Sequence, residues 1–161
     1  MALLATGLAA HRLCLELTES TFLEDGDRSR SKMVAIREAG IGVALDDFGT
    51  GYSSLTYLAD LPLDKLKIDQ YFVRRMRQDS GVMEIVKATI AMAHGMGLQV
   101  VAEGIESEAE AKALLDPGCQ TGQGYLFGKP LAAEAMLASC LHLFPREDGC
   151  RNSARTADSI T

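Results

Sequence analysis

Two aspartates, Asp46 and Asp47, stand side by side at the end of the apolar run Gly42–Leu45, and the glycine- and hydroxyl-rich stretch FGTGYSSL (Phe48–Leu55) follows at once. Like charges where a buried strand meets its loop are unfavourable unless something positive sits among them. Other strand-like runs carry ionisable groups near the same end: LCLELT holds Glu16, LKID holds Lys67 and Asp69, and VVAE holds Glu103. Successive side chains point to opposite faces of a strand, so parity sorts each run. Leu13, Leu15 and Leu17 oppose Cys14, Glu16 and Thr18; Val43 and Leu45 oppose Ala44 and Asp46; Leu66 and Ile68 oppose Lys67 and Asp69; Val100 and Ala102 oppose Val101 and Glu103. The bulky faces suit packing under helices. The opposite faces bring together Glu16, Asp46, Lys67 and Glu103, with Asp47 beginning the loop at the same end. One lysine does not neutralise four acids, whereas one or two divalent cations do. An all-oxygen donor set suits magnesium or manganese, not zinc on thiolates, and the glycines after Asp47 let the backbone approach a bulky ligand. A lone acid at a strand end is ordinarily a solvated loop residue or a helix cap; recurrence on four strands is what points to a site. The DDFG stretch has no Gly-rich loop with its lysine and no HRD motif beside it, which excludes a kinase.

Short apolar runs alternating with helix-like segments must position these groups. The pattern predicts strands over Arg12–Thr18, Ile41–Asp46, Lys65–Asp69, Leu98–Gly104 and Thr121–Phe127. It predicts helices over Ser29–Gly40, stopped by Gly40, over Gly81–Gly97, over Ser107–Gly118 with Ser107 as N-cap, and over Ala132–Phe144, plus a short helix ended near Pro62. Val82, Ile85, Val86, Ile90 and Ala93 form the apolar spacing of the second of these, and Met83, Met92 and Met96 suit its packing face. Strand–helix alternation means parallel strands with crossover helices, an α/β fold of about five βα units. Residues 1–144 are read as one domain, and the polar, aperiodic residues 145–161 as a disordered tail.

Composition narrows the partners. The chain has 161 residues, a net charge of −6 and no basic run, which excludes binding of a nucleic-acid polymer through a phosphate-neutralising patch. The four cysteines form no C-x-x-C pair and suit a reducing compartment. The opening MALLATGLAAHRL lacks a basic residue before its apolar run and is interrupted by Gly7, so neither a signal peptide nor a membrane span is expected. His94, near a helix C-terminus, is read as structural. Tyr125 and Phe127 suit either base stacking or core packing.

The motifs LELTES, ALDDFGTGYSSL, LKID, VAEGIE and QGYLFGKP, in this order from about Thr6 to about Leu131, strongly resemble the EAL-domain cyclic di-GMP phosphodiesterases. The resemblance implies a TIM-like (β/α)8 barrel, here a partial one. It implies a two-metal site of Mg2+ or Mn2+ in which Glu16, Asp46, Asp47 and Glu103 are ligands and Asp46 bridges. Lys67 would contact the attacking water or phosphate, and Glu103 would be the general base. Glu106 and Gln123 would support the metal site and substrate, and Glu19 would brace the loop after Asp47, which couples dimer contacts to the site. The implied reaction is hydrolysis of one phosphodiester of cyclic di-GMP to linear pGpG, in the cytoplasm. The family's E-A-L segment and its ligating asparagine find no match ahead of LELTES, and a full barrel needs about 250 residues. The first metal is therefore expected to lack two ligands and turnover by this fragment to be weak or absent. A homodimer or a completing chain would then close the sheet edges. The alternative is a catalytically dead module that binds cyclic di-GMP or another protein.

Overall fold

In the computed structural model, which describes residues 2–18, 26–49 and 58–136, the apolar runs assemble into one parallel sheet. Its strands are β1 (Cys14–Thr18), β2 (Gly42–Phe48), β3 (Lys65–Ile68), β4 (Gln99–Ala102) and β5 (Thr121–Gly122), paired in chain order. Helix α1 (Ala2–Thr6) and a 3-10 turn (Ala10–Arg12) precede β1. Helix α2 (Gly26–Glu38) links β1 to β2, α3 (Gln70–Arg75) and α4 (Ser80–Gly95) link β3 to β4, and α5 (Glu108–Leu115) links β4 to β5. Parallel neighbours joined by helices are the βα units of a partial TIM-type barrel. Residues 1–128 form one compact unit; in the second unit, residues 129–161, a helical turn is described at 133–136.

The register explains the core. Leu17, Leu45, Leu66 and Val100 fall in one row across four strands. Val43, Leu45, Leu66, Ile68, Val100 and Ala102 are buried on this outer face, with Val73 of α3, Val86 and Ile90 of α4 and Leu114 of α5 in the same cluster. Burying such side chains contributes about 1.5–3 kcal/mol each before entropy is charged against it. Leu15, by contrast, is 38 % exposed, because β1 lies at the sheet edge. Ile85 is also exposed: on α4 it is Val82, Val86, Ile90 and Ala93 that face the sheet, and Ile85 lies off that row. Met83, Met92 and Met96 pack against the core as their spacing predicts.

Element ends follow local chemistry. Gly40, at φ +79°, closes the segment after α2 in the left-handed conformation that glycine adopts without strain. Asp79 caps α4 by accepting from the Gly81 and Val82 amides at 2.9 and 3.3 Å. Helix α3 escapes sequence reasoning because it is only six residues long and its cap, Asp69, reads as the end of a strand. β5 is shorter than its apolar run: after Gly122 the chain turns back, Leu126 donating to the Ile105 carbonyl at 3.0 Å and Phe127 to Gly124 at 3.1 Å. The loop 50–57, Glu19, the rest of the helix predicted to Phe144 and the tail 145–161 lie outside the described residues. Among the described residues no helix is long and apolar enough to cross a membrane.

Helix α5 opens with a capping box: Ser107 Oγ accepts from the Glu110 amide at 3.3 Å, while Glu110 Oε2 accepts from the Ser107 and Glu106 amides, both at 2.9 Å. Burial pushes the Glu110 carboxyl up, but those two amides and the Ser107 hydroxyl outweigh it and hold its pKa below the usual glutamate value. A depressed folded-state pKa adds stability that is present above the unfolded value and is lost as pH falls through the folded one. Glu110→Ala should therefore lower stability by about 1 kcal/mol at pH 7, and chemical denaturation should show that gap closing as the pH is taken below the ordinary glutamate range.

Candidate functional site

The ionisable groups converge at the C-terminal rim of the strands, the end where (β/α) barrels carry their chemistry. At the centre is Lys67, on β3 between β2 and β4, with its side chain 6 % exposed. Its Nζ lies 2.7 Å from Glu16 Oε2, 2.9 Å from Asp46 Oδ1 and 2.5 Å from Glu103 Oε1. Three strand units thus present carboxylates to one ammonium. Burial alone would push the Lys67 pKa down; the hydrogen bonds to Glu103, Glu16 and Asp46 more than reverse this and raise it above the ordinary lysine range.

Asp46 and Asp47 reach the same site through an irregularity in β2. In a regular strand neighbouring side chains point to opposite faces. Here the register against β3 shifts between Leu45 and Phe48, and Asp47 has φ 55°. Such a bulge re-aims a side chain, and Asp47 donates its amide to Asp46 Oδ1 at 3.1 Å. Asp47 therefore belongs to β2 rather than beginning the loop: Phe48 still pairs with Ile68 beyond it. Ligand oxygens of Asp46, Asp47 and Glu103 all lie within 4.8 Å of one another.

Among the described residues, Glu16, Asp46 and Glu103 share the Lys67 ammonium, and Asp47 stands beside the last two. Two of these carboxyls are shifted. Burial raises the Asp47 pKa, Asp46 and Asp69 raise it further, and Lys67 opposes them. Burial likewise raises the Glu103 pKa; Lys67 works against it, and Asp46 and Glu16 add to it. A close, partly buried, all-oxygen trio with surplus negative charge fits a hard divalent cation. Asp46, Asp47 and Glu103 are the residues that would hold it; Glu16 touches Lys67 but is not in the trio.

The remaining residues singled out in the sequence divide. Gln123, just past β5, donates from Nε2 to Glu103 Oε1 at 2.8 Å, so Glu103 is held by Lys67 and Gln123 together. Glu106 is not in the trio; its Oε1 pairs with Arg74 Nη2 at 2.6 Å. Tyr125 and Phe127 are 58 and 63 % exposed, so neither is a core residue among the described residues. Asp69 has two roles that sequence reading did not assign: it caps α3, accepting from the Tyr71 amide at 2.8 Å, and its carboxyl helps to raise the Asp47 pKa. Its place on the ionisable face of KLKID was the available signal. Arg74 had none, because its helix was not foreseen.

Known proteins share this arrangement of sequence and fold. The profile of the EAL domain matches residues 1–130. The bifunctional diguanylate cyclase/cyclic di-GMP phosphodiesterase MucR of Pseudomonas aeruginosa is 45 % identical over 138 residues, 86 % of this chain and 20 % of MucR. The solved MucR phosphodiesterase in complex with c-di-GMP superposes with a TM-score of 0.80 at 44 % identity, covering 84 % of this chain and 55 % of that one. The manganese/cy-diGMP complex of Klebsiella pneumoniae BlrP1 gives 0.76 at 36 % identity, over 80 % of this chain and 33 % of that one. The chain thus spans about a fifth of the length of the curated relatives it matches. With a profile match over 130 residues and solved EAL proteins sharing its sheet, this chain belongs to the EAL domain family.

Proposed function

We propose that this chain carries the Lys67-centred part of a metal-dependent cyclic di-GMP phosphodiesterase site. The observation that carries the reading is the Asp46–Asp47–Glu103 trio beside Lys67, brought together where the register of β2 against β3 shifts. Asp46, Asp47 and Glu103 would hold Mg2+ or Mn2+, with Glu16 completing the acidic set. A divalent cation held there would activate water and steady the anionic phosphate oxygens. Lys67 supplies a buried positive charge for a phosphodiester entering the rim. Glu103, its Oε1 fixed by Lys67 and Gln123, is oriented to take the proton of the attacking water. The single product would be linear pGpG, which carries the new terminal phosphate at one end and the freed sugar hydroxyl at the other. Glu19 keeps its proposed role as a brace for the loop after Asp47.

Turnover by these residues alone should be weak, because two cations need more ligands than the four carboxylates assembled here. A second reading, a module that binds cyclic di-GMP or another protein without hydrolysing it, is favoured by one observation: Lys67 already engages Glu16, Asp46 and Glu103, three of the four carboxylates. The edge position of β1, with Leu15 exposed, also supports pairing with a second copy or a completing chain.

Two measurements test this. Incubation with cyclic di-GMP and Mn2+ should give Mn2+-dependent nucleotide binding with little pGpG. Turnover equal to that of the MucR phosphodiesterase would contradict the need for further ligands, and absence of both cation and nucleotide binding would overturn the site itself. Independently of catalysis, Lys67→Met should destabilise the metal-free protein by about 2–4 kcal/mol, since losing one partner of a buried ion pair typically costs 3–5 and Glu16 is half-exposed. Denaturant titration should show Mn2+ restoring part of that loss; no recovery would argue against a cation among these acids.

A further inference from the structure

We infer that Arg74 is a positioning residue for this site, acting through Glu106 to hold the turn that presents Glu103; the inference rests on the cation-binding reading above. The turn from Glu103 to Glu106 is fixed along its backbone. Glu103 donates to the Ile68 carbonyl at 3.0 Å, Ile105 donates to Gln123 at 3.1 Å, and Glu106 donates to Glu110 Oε2 at 2.9 Å. Gly104, at φ +67°, lies against Gln70 so closely that any Cβ would collide with it. Two side-chain ties then fasten the turn to the β3–α3 unit: Glu103 to Lys67 at its start, and Glu106 to Arg74 at its end. Lys67 and Arg74 belong to consecutive elements, β3 and α3, joined at Asp69.

The second tie matters most when the first is shared. A cation among Asp46, Asp47 and Glu103 would draw on the same Glu103 carboxylate that Lys67 holds. Arg74 and Glu106 then supply the turn's remaining side-chain tie to α3. Both side chains are about half exposed, 53 and 47 %, so the pair adds little to global stability. Its effect should be local: where the Glu103 carboxylate points, not whether the chain folds. This also assigns Glu106 a partner on the protein instead of direct contact with metal or substrate.

A charge swap separates the two roles. The full chain would be compared as wild type, Arg74→Glu, Glu106→Arg and the double variant carrying both. Amide hydrogen exchange over 103–107 would be read without metal, and Mn2+ affinity by calorimetry. Each single variant is expected to speed exchange in the turn and to weaken Mn2+ binding about tenfold, and the swap to return both to within about threefold of wild type, with the thermal midpoint little changed. Single variants that leave exchange unaltered would overturn the inference. So would a double variant that restores neither readout, because Glu106 would then act directly on the ligand. A wild type that takes up no Mn2+ would sink the cation reading, while the exchange data would still decide the role of Arg74.

Discussion

One ammonium holds the site together. Lys67 meets carboxylates from three different strand units, Glu16, Asp46 and Glu103, whose sequence positions span most of the sheet. Taking that charge out of water is costly, and only close, hydrogen-bonded partners offset the cost. The same contacts draw the three carboxylates toward one point. Around Lys67 the carboxylates outnumber the ammonium, with Asp47 standing beside Asp46 and Glu103. That arrangement is the basis of the proposed cation site.

The scaffold makes the convergence possible. Leucine and valine side chains in register across β1 to β4 set the outer face, and the alternation of a strand then obliges Glu16, Asp46 and Lys67 to share the inner one. The bulge at Asp46–Asp47 breaks that alternation at the single place where two adjacent acids are wanted together. Glu103 and Gln123 follow the last residues of β4 and β5, where the chain has left the ladder and short turns aim the side chains inward.

Much of this was legible in the residues. Parity alone placed Glu16, Asp46 and Lys67 on one face, because the apolar partners at every second position leave no other arrangement; Glu103 lies one residue past β4, where the turn aims it. The Asp47 conformation was not legible, since a bulge depends on pairing with β3 and not on local composition. Helix α3 was hidden because six residues carry too little periodicity, and with it went Arg74 and the capping role of Asp69. The exposure of Leu15 and Ile85 was missed for a related reason: an apolar pattern records which residues can be buried, and the sheet edge or the helix rotation decides which ones are.

The central claim is that Asp46, Asp47 and Glu103 form a cation site beside Lys67. A crystal of this chain soaked in Mn2+ and measured at the manganese absorption edge tests it most directly. The account predicts an anomalous peak bounded by these three carboxylates, with Lys67 still within hydrogen-bonding distance of Glu16. A well-ordered rim with no peak, or manganese bound elsewhere while Lys67 keeps all three carboxylates, would contradict it.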